Sequence, residues 1–370
     1  MRRSELHPLH IEESGSQEHF ALRFPICLCV LLLLLSLCRA DAQQSEPSLF
    51  TTTHSAMGTE YVLYLYSKDP HAAAEISDET FEEIDRLDQL LSNYKDSSEL
   101  SRINQKAAES PVTTDAEMIR FLEASLHWSE ASDGAFDITV GKLMKAWGFY
   151  RHQGHIPPDD ELQRLRAATG WQKVQIDPEA RTVRFTSPGV ELDPGGIGKG
   201  FAVDAAVRIL RADHVSSAML SAGGSTIYAL GAPPHKRGWP IVIAGPLPAK
   251  TTLSTIYLRD TSLSSSDCTQ KNFTVDGHLY CHIMDPRTMH PVEGRIQVSI
   301  VHPSATASDA LSNVLFVQNP ELSRMTLTKY APEARALIVS SGAKAPRCDA
   351  YRWSAPVDTK HCAIGTISTH

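Results

Sequence analysis

The stretch LDPGGIGKGFAVD, residues 192–204, places four glycines, a lysine and two aspartates within thirteen positions. Glycine lacks a Cβ, so its backbone tolerates close approach by other groups and a positive φ. The four glycines are Gly195, Gly196, Gly198 and Gly200. Val203, Val207 and Leu210 follow at helical spacing, which predicts a helix after the turn. A glycine turn that leads into a helix N-terminus favours phosphate binding. A tight strand-to-helix turn is the alternative, because the stretch has neither the GK[ST] ending nor the GxGxxG spacing of the common phosphate loops.

Hydrophobic periodicity in the rest of the chain predicts more strands than helices. Helices are predicted over 79–94, over 114–132 and over 308–317, the last capped by Ser308 or Asp309. Strands and hairpins are predicted over 54–67, 172–187, 218–231, 239–246, 254–260, 273–286 and 334–340. Because strands and helices do not alternate regularly, we predict an α+β fold with a largely antiparallel sheet rather than a doubly wound one.

The composition limits the size of the core and the kinds of partner. The chain has 370 residues, of which 42% are hydrophobic, enough for one large or two ordinary domains. Lys and Arg number 35 against 43 Asp and Glu. A mildly acidic chain without a basic stripe argues against nucleic acid as a partner.

The N-terminal segment has the features of an export signal. Arg23 precedes the apolar run FPICLCVLLLLLSLC, which is followed by the small-residue sequence ADA at 40–42. This pattern predicts a secretory signal over residues 1–42, cleaved near Ala42, and an exported mature protein. A retained segment that anchors the protein to the inner membrane is the alternative.

Four cysteines remain after the predicted signal: Cys268, Cys281, Cys348 and Cys362. An even number in an exported chain favours disulfides. Three connectivities are possible, and proximity in sequence favours 268 with 281 and 348 with 362. Free buried thiols are the alternative.

Several short motifs occur in an order that resembles the ApbE family, the FAD:protein FMN transferases of bacterial envelopes. Besides 192–204, they are SAMGT at 55–59, LLSNYKDSSELSRIN at 90–104, GAFDITVGKLMKAWGF at 134–149, AGGSTIYALG at 222–231, DGHLYCHIMDPRTMHPV at 276–292 and ASDALSNVLFV at 307–317. The resemblance extends from about residue 50 to about residue 340. It gives a flavin transferase domain over 43–345 and a C-terminal extension over 346–370.

The resemblance implies an α+β fold in which sheets and helices enclose a flavin cleft. It also implies a Mg²⁺-dependent enzyme that moves FMN from FAD to a Thr or Ser hydroxyl of an acceptor redox protein at the periplasmic face, releasing AMP. Some relatives instead hydrolyse FAD to FMN and AMP. A flavin-binding protein without catalysis is the third alternative.

The same resemblance assigns roles to individual residues. The residues implied to contact FAD are Met57, Tyr94, Ala135, Phe136, Asp137, Asp193, Lys199 and Ile283. The implied magnesium ligands are the carbonyl of Gly196, the carboxylate of Asp309 and Asn313, which stands where the family usually has threonine. His282 and Asp285, in the H-I-x-D-P element, line the cleft.

Physical chemistry supports parts of this assignment. A helix N-terminus with exposed amides after Gly200 could bind a diphosphate, and Mg²⁺ prefers oxygen ligands. Asp309 and Asn313 stand four apart, on one face of a helix. An imidazole has a pKa suited to taking the proton of an acceptor hydroxyl, which makes His282 the first candidate base and Asp285 the second.

Each assignment has a structural alternative. Asp309 could be only a helix N-cap, and Asp137 could cap the following helix. His282 could be a hydrogen-bonded strand histidine, and Asp285 could belong to a turn with Pro286. The stretch LSSSDCTQKNF, 263–273, departs from the family pattern.

Overall fold

The computed structural model describes residues 46–151, 154–245, 251–268, 271–343, 345–360 and 362–366. The predicted signal over 1–42 lies outside these residues, as do Thr269 and Gln270. The described residues from Pro47 onward form one compact unit. Among them, no helix is long and apolar enough to cross a membrane.

A nine-stranded sheet forms the centre of the protein, with the strand order β1-β2-β6-β7-β10-β15-β16-β17-β18. These strands are β1 (Ser48–Ala56), β2 (Thr59–Ser67), β6 (Ser217–Ala222), β7 (Thr226–Gly231), β10 (Thr261–Asp267), β15 (Arg295–His302), β16 (Arg335–Ser340), β17 (Arg347–Tyr351) and β18 (Ala363–Thr366). Every neighbouring pair is antiparallel except β17 and β18, which are parallel. The predicted α+β class with a largely antiparallel sheet is confirmed.

Smaller sheets surround this one. They consist of β3 (Val112–Thr113), β5 (Thr182–Phe185) and β4 (Val174–Asp177), of β8 (Trp239–Ala244) with β9 (Thr252–Leu258), of β11 (Asn272–Val275) with β12 (His278–Cys281), and of β13 (Met284–Asp285) with β14 (His290–Pro291). The predicted D-G turn joins β11 to β12, with φ of 50° at Asp276 and 80° at Gly277. Positive φ at both turn residues is typical of a tight hairpin.

The described residues also form eight α-helices. They are α1 (Pro70–Leu91), α2 (Glu99–Lys106), α3 (Ala116–Ala131), α4 (Gly141–Ala146), α5 (Asp159–Ala168), α6 (Gly198–Ala212), α7 (Ala305–Val317) and α8 (Pro320–Tyr330). α1 begins nine residues before the predicted start at 79. Asp69 caps it by accepting a hydrogen bond from the His71 amide, and Pro70 fits the first turn because that turn needs no amide donor.

The two faces of the large sheet are covered by different elements. Leu220 and Tyr228 point into a core shared with α1 and α6, whereas their neighbours Met219 and Ile227 pack against the β8–β9 hairpin. Alternate residues of a strand face opposite sides, so each strand contributes to both cores. Ala305 of α7 belongs to the same core as the residues of α6, so α6 and α7 lie on one face of the sheet.

Both disulfides favoured by sequence proximity are present. Cys268 is bonded to Cys281, and Cys348 to Cys362. The alternative of free thiols is therefore wrong. The second bond lies in the predicted extension, whose strands β17 and β18 continue the large sheet.

Candidate functional site

The glycine turn before α6 is closed by Pro194, whose carbonyl accepts hydrogen bonds from the amides of Ile197, at 3.1 Å, and Gly198, at 2.7 Å. None of the four glycines in this stretch has a positive φ, so the turn does not use this freedom of glycine. Close approach is what they provide. A Cβ on Gly200 would lie 2.2 Å from the Ala305 carbonyl oxygen. The glycines allow α6 to cross α7 at backbone contact.

Asp309 lies at this crossing, in the second turn of α7, and is only 4% exposed. Its Oδ2 accepts the Gly200 amide at 2.9 Å, and its Oδ1 accepts the Thr226 hydroxyl at 3.2 Å. Lys199 Nζ lies 3.9 Å from Oδ1. Asp309 therefore occupies the Gly200 amide at the positive end of α6. The amide that follows, that of Phe201, donates to the Ile197 carbonyl at 3.0 Å, so the first of the amides predicted to be exposed after Gly200 is used within the helix.

Asp309 is also not the N-cap of α7, nor is Ser308. The cap is Ser304, whose hydroxyl accepts the Ala307 amide at 3.2 Å. Asp204 of α6 reinforces it by accepting the amides of Ala305, at 2.8 Å, and Thr306, at 2.9 Å. Each of the two helices thus supplies a carboxylate to the first turn of the other.

Two of the three predicted metal ligands, the Gly196 carbonyl and Asn313, are in contact at the same crossing, and Asn313 also touches the backbone of the third, Asp309. Asn313 Nδ2 lies 3.1 Å from the Gly196 carbonyl oxygen and 3.0 Å from the Asp309 carbonyl oxygen. A backbone carbonyl, a carboxylate and an amide oxygen are ligands that suit Mg²⁺. The donor types fit this ion, provided that the Asn313 amide turns to present its oxygen. No group of three His, Cys, Asp or Glu side chains suited to a metal occurs in the described part of the chain.

Tyr150 links several of the residues predicted to contact FAD. Its hydroxyl donates to Asp193 Oδ2 at 2.7 Å and accepts from Asn93 Nδ2. Its ring centroid lies 5.0 Å from that of Tyr94, which is 69% exposed. Burial, and then the charge of Asp193, raises the pKa of Tyr150, so its hydroxyl stays a donor. Sequence reasoning missed Tyr150, although it directly follows the motif at 134–149.

Asp193 is held on both carboxylate oxygens. Besides the Tyr150 hydroxyl, it accepts the Gly195 amide on Oδ1 at 2.8 Å. Burial raises the pKa of Asp193, and these two hydrogen bonds act in the opposite direction. The Asp193 carboxylate therefore fixes the glycine turn to the Tyr94–Tyr150 pair.

The segment Ala135, Phe136 and Asp137 packs under the glycine turn. A Cβ on Gly196 would lie 3.0 Å from Phe136 Cε2, so this ring touches the turn, while Ala135 is 2% exposed. Asp137 accepts the Thr139 amide and hydroxyl on one oxygen and the Trp171 amide on the other. It does not cap α4, as the alternative had it. Burial raises the pKa of Asp137, and its hydrogen bonds oppose that rise.

Met57 approaches the start of α6 from the turn between β1 and β2, with a φ of 50°. Its Cε would lie 3.5 Å from a Cβ on Gly198, and its Sδ accepts the Tyr61 hydroxyl at 3.2 Å. The turn between the edge strand β1 and its neighbour β2 therefore reaches the glycine turn.

His282 is fixed by a single carbonyl. The oxygen of Lys271 accepts the His282 amide at 3.1 Å and lies 3.0 Å from the ring Nδ1. Because a carbonyl only accepts, Nδ1 carries the proton and Nε2 keeps a lone pair. Burial first, then the charge of Lys271, lowers the pKa of His282 to about 4. The imidazole is therefore neutral at pH 7.

Asp285 is engaged elsewhere. Arg287 donates to both of its carboxylate oxygens, from Nε at 2.9 Å and from Nη2 at 2.9 Å. The Arg287 amide adds a third bond at 3.0 Å. This is the geometry of the turn that was the alternative interpretation. Ile283, beside them, is 5% exposed, and its carbonyl accepts the Val292 amide at 2.8 Å.

Two lysines, Lys199 and Lys271, influence the pKa of His282, and one of them also influences that of a carboxylate elsewhere in the site. Lys199, which lies beside Asp309, also lowers the pKa of His282. Lys271 lowers the pKa of Asp193 as well as that of His282.

A separate depression of about 430 Å³ lies between β1 and α1, lined in part by His54, and no predicted site residue lines it.

The chain is similar to one family of known proteins over most of its length. The family model for the ApbE family matches residues 57–338. An FAD:protein FMN transferase of Treponema pallidum is 30% identical over 336 residues, covering 86% of this chain and 90% of that protein.

Two solved structures are similar over most of their length. The ApbE protein from Thermotoga maritima has a TM-score of 0.73 at 29% identity, covering 79% of this chain and 94% of that one. The apo form of the Pseudomonas stutzeri flavinyl transferase ApbE has a TM-score of 0.73 at 26% identity, covering 83% and 96%. On the extent of the family match and the identity to the Treponema protein, the chain belongs to the ApbE family.

Proposed function

We propose that this protein is an FAD:protein FMN transferase, which moves FMN from FAD to a Thr or Ser hydroxyl of an acceptor redox protein and releases AMP. One observation carries the proposal. The crossing of α6 and α7 brings the Gly196 carbonyl, Asp309 and Asn313 together, and Lys199 beside Asp309 acts by its charge on His282, a neutral histidine whose Nε2 carries a lone pair. The activity in the name of the Treponema pallidum relative supports it.

The oxygens of Gly196, Asp309 and Asn313 would hold Mg²⁺. When bound, the ion would neutralise charge on the FAD diphosphate, which is the main electrostatic requirement of phosphoryl transfer. Lys199, 3.9 Å from Asp309, places a further positive charge at the same point. The exposed ring of Tyr94, supported by Tyr150, offers a flat surface for stacking of the isoalloxazine.

The acceptor hydroxyl attacks the phosphorus on the riboflavin side of the diphosphate. A bond forms between the hydroxyl oxygen and that phosphorus, and the bond from phosphorus to the bridging oxygen breaks, so that AMP leaves. The hydroxyl proton passes to His282 Nε2, whose availability follows from the Nδ1 hydrogen bond to Lys271. His282 suits this role better than Asp285, whose carboxylate is paired with Arg287.

We also propose that the protein acts outside the cytoplasm, in the periplasm, on a redox subunit that faces that compartment. The two disulfides support this location, because such bonds persist in oxidising compartments. Whether the N-terminal segment is cleaved or anchors the protein to the inner membrane is decided by the mass of the protein recovered from membrane and periplasmic fractions.

The experiment supplies the chain with FAD and Mg²⁺, with and without the protein acceptor of the Treponema pallidum transferase. AMP release that requires the acceptor, together with covalent flavin fluorescence on the acceptor, supports the proposal. AMP and free FMN at the same rate without acceptor would instead show an FAD pyrophosphatase. FAD binding without turnover would show a flavin-binding protein.

A further inference from the structure

Two disulfides of nearly equal loop size occupy different places in the fold. Cys268 and Cys281 are separated by 13 residues, and Cys348 and Cys362 by 14. The first bond joins the end of β10, a central strand of the large sheet, to the last residue of β12. The second joins β17 to the residue before β18, at the edge of that sheet.

The first disulfide adjoins both partners of the His282 hydrogen bond. Cys281 directly precedes His282, and Lys271 lies three residues after Cys268. The Asn272 side chain also donates to the Cys268 carbonyl at 2.6 Å, and Asn272 pairs with Cys281 across the hairpin. The bond therefore fixes the position of the carbonyl acceptor and of the imidazole donor at the same time.

Among the strands that the structure describes, none of the large sheet pairs with the β11–β12 hairpin. A two-stranded hairpin alone is marginally stable in water, so its position depends on other contacts. Phe273 and Tyr280 pack near Trp147, with ring centroids 6.4 Å and 5.7 Å away. These aromatic contacts hold the body of the hairpin, whereas the disulfide ties its ends to β10.

We propose that the Cys268–Cys281 disulfide is a positioning element for His282. The disulfide holds the Lys271 carbonyl against Nδ1. As a result Nε2 stays unprotonated and the imidazole ring keeps one orientation. This inference rests on the proposed function for the role of the ring in transfer. The position of the ring itself can be measured independently of that function.

Loss of the bond changes the surroundings of the imidazole. The charged groups that act on His282 are Lys271 before β11, Asp267 on β10 and Lys199 on α6. Burial, the largest influence, lowers its pKa to about 4. A hairpin end released from β10 admits water to the ring, which moves the pKa of His282 upward towards 6.5.

The test compares C268A/C281A with the matched control C348A/C362A in the full chain. Alanine suits all four positions, since these cysteines are between 1% and 9% exposed. Urea unfolding measures stability, NMR titration of the His282 ring protons measures its pKa, and the flavin transfer assay measures kcat and the KM for FAD.

Both variants should lose similar stability, because the loops that the disulfides close are similar in length. Only C268A/C281A should lower kcat, by about tenfold, which is part of the roughly 10²–10⁴-fold that a well-placed general base contributes, with the KM for FAD within about twofold. Only in that variant should the pKa of His282, measured by NMR titration, rise.

Equal effects of the two variants on kcat would overturn the inference, and so would an unchanged His282 titration in C268A/C281A. If the wild-type chain transfers no flavin, the proposed function fails, and the NMR titration alone then decides on the positioning role. If C268A/C281A does not fold, the wild-type chain is treated with a phosphine, which is oxidised as the disulfide becomes two thiols. The titration is then read on protein in which labelling identifies Cys268 and Cys281 as thiols.

Discussion

The carboxylate of Asp309 combines a structural role with a proposed role in metal binding. It accepts the Gly200 amide and the Thr226 hydroxyl, so its removal leaves two buried donors unpaired. Such a loss costs stability by itself, on the order of 1–3 kcal/mol per donor. A test of metal binding must therefore keep an acceptor at this position.

Asp309→Asn keeps an oxygen for the Gly200 amide while it removes the charge that Mg²⁺ requires. We expect the Mg²⁺ concentration for half-maximal AMP release to rise more than about tenfold, since even indirect ligand partners have effects of that size. Asn313→Ala should raise this half-maximal Mg²⁺ concentration less. Asn313→Thr should leave it near the wild-type value, because a hydroxyl can replace the amide oxygen. An Asp309→Asn protein with unchanged Mg²⁺ dependence would show that the ion binds elsewhere.

The lowered pKa of His282 makes stability depend on pH. Its pKa is about 4 in the folded protein against 6.5 for the free side chain. Between these values the unfolded chain binds a proton that the folded protein does not, so stability falls as the pH falls from 6.5 towards 4. The loss at pH 4.5 is on the order of 2–3 kcal/mol.

His282→Gln lacks this titration and is the matched comparison. Urea unfolding of both proteins at pH 7.5 and pH 4.5 should show a larger decrease for the wild type, by the amount above. Other groups titrate in both proteins and cancel. Equal decreases in the two proteins would show that His282 keeps an ordinary pKa in the folded state.

At the scale of elements, the crossing of α6 and α7 depends on the absence of a side chain at Gly200. A Cβ there would lie 2.2 Å from the Ala305 carbonyl oxygen and 2.7 Å from Asp309 Cβ. Backbone cannot move aside as a flexible side chain can. Gly200→Ala should therefore cost about 3 kcal/mol or more and lower activity, because the two helices must separate.

Gly294→Ala is the contrasting control, since Gly294 has a φ of 77° and no neighbour within 4 Å of its Cβ position. At this position the substitution costs stability only through the strain of an L-residue in left-handed backbone, about 1–2 kcal/mol. The urea concentrations at which the two variants are half unfolded show which of them loses more stability. A larger loss for Gly294→Ala would mean that the crossing can relax.

Sequence patterns predicted the elements and part of the site. The spacing of Asp309 and Asn313 places them on one helix face, because that relation is local and periodic. The start of α7 was predicted three residues late, since Ser308 and Asp309 are also typical cap residues, and the carboxylate that reinforces the actual cap Ser304, that of Asp204, comes from another helix 101 residues before Ala305. Tyr150 was missed for the same reason, as its partner Asp193 lies 43 residues away in sequence.

At the scale of the whole molecule, the described residues of the predicted extension, 346–360 and 362–366, belong to the compact unit. β17 pairs with β16, and Tyr351 is 1% exposed, within the main core. Tyr351→Ala should therefore destabilise the protein by about 3–5 kcal/mol, as truncation of a buried aromatic side chain does. Ile364→Ala on β18, at a position 53% exposed, should cost under about 1 kcal/mol. Urea unfolding compares them, and equal small losses would show that β17 contributes little to the core.

The long-range contact between α6 and α7 has a consequence for the order of folding. Gly200 and Asp309 are 109 residues apart in sequence, whereas the disulfides close loops of 13 and 14. Closing a long loop costs more chain entropy than closing a short one, and contacts across it form later. Both disulfides can therefore form in a chain whose two helices have not yet met. Counting free thiols during refolding thus measures local closure only, and recovery of the assembled site has to be followed by a probe of the crossing itself.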